Sequence, residues 1–180
     1  MGQHEFGFGA VLVGLGPGQG QNEPVGVLVD VLDLVRQASL DQGREIGVVL
    51  EIKHATYFSG LGYDVAGAIA AELRDAGWAT GRLPLYLESF EQTVLEAVRA
   101  EGVRGTYIYL LEAAGSPYDL VARQGRAAPT YREQATPAGL DRLVGRVDGI
   151  SVDKRMILAP DRLGLFADTA GLLAAHGLSV

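Results

Sequence analysis

Ile46-Gly47-Val48-Val49-Leu50-Glu51-Ile52-Lys53-His54 is the stretch that decides the fold. Its first five residues form a nearly continuous apolar run, the pattern of a parallel-sheet strand buried on both faces. The run ends in an acid and a base at alternate positions, and residues two apart on a strand point to the same side. Glu51 and Lys53 therefore face one way together. A strand that delivers a carboxylate and an ammonium side by side suits a site at the C-terminal mouth of an α/β barrel. A surface ion pair where the strand leaves its sheet satisfies the same spacing, and exposed pairs contribute little.

Downstream, the same unit recurs. Asp64 is placed to cap a helix with Val65, Ile69 and Leu73 on one face, stopped by Gly77. The segment between, His54 to Gly60, reads as loop. Leu83–Glu88 is a second strand ending in an acid, and Ser89 with Gln92 fits a capping box for a helix through Val94, Leu95 and Val98, stopped by Gly102. The third strand, Gly105–Leu111, ends in Glu112, and its Tyr107/Tyr109 alternation is ordinary strand patterning. A long polar loop follows, and Thr136-Pro137 opens a helix through Leu140, Leu143 and Val144. Gly149–Val152 is a fourth strand, followed by Asp153-Lys154. A last helix is predicted from Asp161 to Gly177, with Leu178-Ser179-Val180 as the first step of another strand.

Upstream, Pro24 to Ala38 predicts a helix with Val27, Val31, Leu34 and Val35 as its apolar stripe. Before it, Val11-Leu12-Val13 leads into Gly14-Leu15-Gly16-Pro17-Gly18-Gln19-Gly20, which is neither GxGxxG nor a Walker A loop. Proline among the glycines points to a connector, so residues 1–22 read as a glycine-rich leader. Four strand-then-helix units in a row mean an α/β fold with a parallel sheet, barrel or doubly wound.

The 180 residues are enough for one domain, and 48% hydrophobic with 21% charged residues is ordinary for a globular chain. A formal net charge of −7 argues against nucleic acid as partner, since phosphate neutralisation needs clustered Lys and Arg. With no cysteine there is neither a disulfide framework nor a thiolate metal site. No signal peptide and no membrane-spanning apolar run is visible, so a soluble protein is expected, its compartment open.

Three motifs in order, Glu51-Ile52-Lys53-His54-Ala55-Thr56-Tyr57-Phe58, Glu88-Ser89-Phe90-Glu91 and Gly149-Ile150-Ser151-Val152-Asp153-Lys154, resemble the middle and C-terminal part of a glycerophosphodiester phosphodiesterase. The likeness runs from about Pro24 to Val180. It implies residues 23–180 as an incomplete domain of that family: a partial TIM-type (β/α)8 barrel, about strands four to seven with their helices. The activity implied is hydrolysis of glycerophosphodiesters to glycerol 3-phosphate and an alcohol, usually with Ca²⁺ or Mg²⁺. Glu51 becomes a metal ligand, Lys53 a phosphate contact and Glu88 a second substrate contact. A hard cation wants carboxylate oxygens and a phosphodiester a fixed ammonium, so the chemistry agrees.

The departures are as specific. The family's His-Arg-Gly and Glu-x-Asp, which bring a catalytic histidine, a phosphate-binding arginine and further metal ligands, have no counterpart in this sequence. His4-Glu5 lies too close to Glu51 to stand for the family's second histidine pair, and His54 and His176 read as loop and helix-end residues. An inactive fragment with weak metal binding is therefore expected, and self-association through open sheet edges with it. From a different class, a catalytically dead module that binds phosphodiesters or polyol phosphates fits the same Glu51 and Lys53. An unrelated α/β sugar-phosphate enzyme is the third reading.

Overall fold

In a computed structural model the described residues are 7–13 and 28–157. They begin with strand β1 (Gly7–Val13), helix α1 (Leu28–Gln42) and strand β2 (Ile46–Ile52). Next come α2 (Ala55–Gly60), α3 (Val65–Asp75), β3 (Leu85–Ser89), α4 (Gln92–Ala100) and β4 (Thr106–Leu111). Then follow α5 (Tyr118–Gln124), a 3-10 turn at Gly125–Ala127, α6 (Tyr131–Gln134), α7 (Pro137–Asp141), β5 (Gly149–Val152) and α8 (Lys154–Ile157). The five strands form one sheet in the order β1-β2-β3-β4-β5, every neighbouring pair parallel. Chain order and spatial order coincide, so the strand-order reversal that defines a doubly wound sheet is absent among the described strands.

Crossovers between parallel strands are right-handed almost without exception. Strands added always on the same side then carry their helices on one face. The packing agrees, with α1 against α3 and α3 against α4. The covered face of the sheet presents Val48, Leu50, Ile52, Leu85, Leu87, Tyr107, Tyr109, Leu111 and Ile150, all buried, against Leu32, Leu73, Leu95, Val98, Leu140 and Leu143. The opposite face carries Val49, Glu51, Tyr86, Glu88, Thr106 and Ile108, all half-buried. Burial of β2 on both faces was expected from its apolar run. The structure buries one face fully and the other in part.

The turn chemistry explains most boundaries. The Asp64 carboxylate accepts from the Gly67 N–H at 2.9 Å and caps α3. At the other end Gly77 takes φ +75°, its N–H donating to the Arg74 carbonyl at 3.0 Å and the Trp78 N–H to that of Leu73 at 2.8 Å, a Schellman motif. Thr136 caps α7 with Pro137 in its first turn, as the sequence predicts. Helix α1 runs beyond Ala38 because Gln37 donates to Asp41 at 2.8 Å and the left-handed turn comes at Gly43.

Four expectations are corrected. Residues 54–60 hold α2 rather than loop, and the stretch after Glu112 folds into α5, the 3-10 turn and α6. Ser89 does not cap α4: it is the last residue of β3, and Glu91 stands at the cap position without a side-chain cap bond. Finally, residues 7–13 are strand rather than connector, so β2 is not an open edge of the sheet. Strand β1, inside the segment read as a leader, pairs with it from Gly7↔Ile46 to Val13↔Ile52. The start of the first helix at Pro24, the Gly14–Gly20 motif, His4-Glu5, His176, the helix from Asp161 and the strand at Leu178 all lie outside the described residues.

Candidate functional site

Parallel register sets the C-terminal rim of the sheet. Glu51 pairs with Glu88, and Glu88 with Ile108, so the two carboxylates stand side by side on the half-open face. Lys53 is the next residue of β2's line on that face, and its Nζ lies 3.4 Å from Glu51 Oε2. The Glu51 side chain is 12% exposed and that of Lys53 40%, so the cation leans over a largely covered carboxylate. With one partner half in water the pair is worth at most about 1 kcal/mol. Burial, and then the charge of Glu51, push the Glu88 carboxyl above the ordinary glutamate range.

The rest of the rim is divided. Glu112 directly follows β4 and is exposed. Asp153 follows β5 and is held by Arg155, whose Nη2 sits 2.6 Å and Nε 3.0 Å from its oxygens. That contact, with the Arg155 N–H at 2.8 Å, brings the Asp153 carboxyl down to about 2. Lys154 opens α8 beside it. The structure thus brings Glu51, Lys53 and Glu88 together and puts Glu112 and Lys154 on the same edge of the sheet.

As a cation site the described rim is incomplete. Ca²⁺ takes six to eight oxygen ligands. Among the described residues no group of three or more His, Asp or Glu could hold a metal, and Glu51 is already engaged by Lys53. Two adjacent carboxylates fit part of a divalent shell and no more.

Behind the rim lies a clamp that sequence reasoning missed. The Ser89 hydroxyl, 1% exposed, donates to the Ile52 carbonyl at 2.7 Å and accepts from the Glu91 N–H at 3.0 Å. The Glu91 carboxylate, 4% exposed, accepts from the Thr56 N–H at 2.8 Å. The two bonds bracket Lys53, His54 and Ala55. His54 has φ +54° and ψ +32°, the one non-glycine residue at positive φ among the described residues. That conformation costs about 1–2 kcal/mol. One unit further on a related bond occurs: buried Asp119 accepts from the Thr93 N–H at 2.9 Å, tying the first turn of α5 to the start of α4. Ser-x-x-Gln at residues 89–92 mimics a capping box, and nothing in local spacing says that the serine and the acid after it reach across to the neighbouring strand's loop.

Neither family models nor curated proteins give a match to this chain.

Proposed function

We propose that this chain carries part of the mouth of a glycerophosphodiester phosphodiesterase-type barrel, with Lys53 meeting the phosphate, Glu88 the polar substituent and Glu51 a divalent cation. The observation that carries the proposal is the Glu51–Lys53 pair at 3.4 Å with Glu88 in register beside it, at the strand ends where barrels keep their sites. Further support comes from the monotonic parallel order with helices on one face, the arrangement of an arc of a (β/α)8 wall. The half-open face then corresponds to the inside of such a wall. The resemblance of the Glu51–Phe58 stretch supplies the substrate class.

The residues of this chain furnish an anchor rather than a full catalytic set. Lys53 supplies positive charge to a phosphodiester oxygen, and Glu51 fixes that ammonium. Glu88, beside it, offers carboxyl oxygens to a substrate hydroxyl, and burial with the Glu51 charge raises its titration above the ordinary glutamate range. A divalent cation, when held here, would neutralise phosphate charge. No described histidine other than His54 is available for proton transfer. Binding of phosphodiesters or polyol phosphates without turnover is therefore the second reading, favoured by the absence of His-Arg-Gly and Glu-x-Asp from the sequence.

Calorimetry with glycerophosphocholine, with and without Ca²⁺, tests both. Binding that Lys53→Ala abolishes and Lys154→Ala leaves intact is the expected result, and hydrolysis by the purified chain separates enzyme from binding module. No heat in either condition would remove the phosphodiester proposal.

A further inference from the structure

The clamp of Ser89 and Glu91 on the Ile52–Thr56 segment has a consequence for the site. Both side chains are buried and both spend their polar atoms on the backbone of another strand's loop, one bond on each side of Lys53-His54. Between them lie the candidate phosphate contact, a histidine in a left-handed conformation uncommon outside glycine, and buried Ala55. The His54 carbonyl also accepts from the Phe58 N–H at 3.1 Å, so the segment is fixed at Ile52, His54 and Thr56 in succession. Glu88, the neighbouring candidate contact, directly precedes Ser89 on β3. The residues that tie down the Ile52–Thr56 segment thus directly follow Glu88 in the chain.

We propose that Ser89 and Glu91 are positioning residues: they hold the Lys53–His54 turn in register with Glu88, so that ammonium and carboxyl meet one ligand together. The assignment of a phosphate to Lys53 rests on the function proposed above. The clamp itself does not.

The test uses the full chain, ¹⁵N/¹³C-labelled, with glycerophosphocholine as probe, comparing wild type with Ser89→Ala, Glu91→Ala, Glu91→Gln and Lys53→Ala. Backbone chemical shifts and the N–H to Hα coupling of His54 report its φ without any ligand, and Thr56 amide exchange reports the Glu91 bond. In Ser89→Ala and Glu91→Ala, with cooperative unfolding retained, the left-handed signature of His54 should fade, and Glu91→Ala should expose the Thr56 amide. Probe affinity should fall roughly tenfold or more, as for other small misplacements of a binding group. Glu91→Gln, whose amide oxygen can still accept from Thr56, should restore both. If His54 keeps its signature in both alanine variants, or if it loses it while probe affinity stays unchanged, the positioning role is overturned. Failure of wild type to bind the probe, or equal binding by Lys53→Ala, removes the phosphate assignment instead, and the His54 and Thr56 signals then decide the clamp alone. Should Glu91→Ala fail to fold, Ser89→Ala and the restoring glutamine carry the same decision.

Discussion

Glu88 is the residue whose surroundings make the sharpest demand. Its carboxyl is raised by burial and by the Glu51 charge beside it, so the folded protein holds that proton more tightly than the unfolded chain. The associated stability is fully present below the ordinary glutamate range and is lost as pH rises through the folded value. Glu88→Gln should therefore raise the urea midpoint at neutral pH and flatten the decline that wild type shows above the glutamate range. A Glu88→Gln curve parallel to wild type across that window would show that ionised Glu88 costs the fold nothing. Glu51→Gln should lower the Glu88 titration toward, without reaching, the ordinary value, because burial is the larger cause. Carboxyl ¹³C shifts read this directly. That Glu51 and Lys53 share a face was legible in the sequence, because strand alternation leaves no choice. That Asp153 would be tied up by Arg155 was not, since the pairing depends on how α8 turns away from β5.

At the scale of elements, the sequence was most informative where one residue type has one conformational use. Asp64 before an apolar stripe and glycine after it bound α3 as expected, and the same holds for Thr136-Pro137 at α7. Gly77→Ala places a side chain at φ +75° with the Arg36 guanidinium in ordinary contact at 3.7 Å, so backbone strain should cost about 1–2 kcal/mol, measured by urea unfolding. A loss near zero would mean that the turn relaxes freely. The short helices differ in what hid them: α6 carries a local Thr130-x-x-Glu133 capping box that spacing alone could have shown, whereas the support of α2 lies elsewhere in the chain. The six-residue α2 receives its N–H partner from Glu91, thirty-five residues away, and starts at a left-handed histidine that no propensity scale anticipates. The misreading of Ser89 has the same origin: its hydroxyl serves a neighbouring strand rather than the helix that follows it.

For the molecule as a whole, the parallel sheet was readable from the repeated strand-then-helix order. The fifth strand was not, because Gly7–Val13 adjoins a glycine- and proline-rich run whose composition masks a pairing segment. Among the described residues β1 pairs only with β2 and β5 only with β4, which leaves an outer edge on each. Unpaired edges of this kind template pairing with another chain. We propose on that basis that the chain self-associates, with its half-open face partly covered in the assembly. Size-exclusion chromatography coupled to light scattering should show a species larger than a monomer that shifts with concentration. A compact monomer that binds no apolar dye would mean that edges and face are closed within the chain. The two carboxylates of the described rim, Glu51 and Glu88, by themselves predict Ca²⁺ binding no tighter than about the millimolar range. Submicromolar binding abolished by Glu51→Gln would require ligands beyond Glu51 and Glu88.

The most direct test of the central claim, that Glu51, Lys53 and Glu88 form one phosphodiester-binding mouth, is a titration of the ¹⁵N-labelled chain with glycerophosphocholine followed by amide shifts. Saturable changes should be confined to the C-terminal ends of β2 and β3 and the start of α2, with the N-terminal ends of the same strands silent and the whole response lost in Lys53→Ala. Changes centred elsewhere on the sheet, or a response that survives Lys53→Ala, would contradict it.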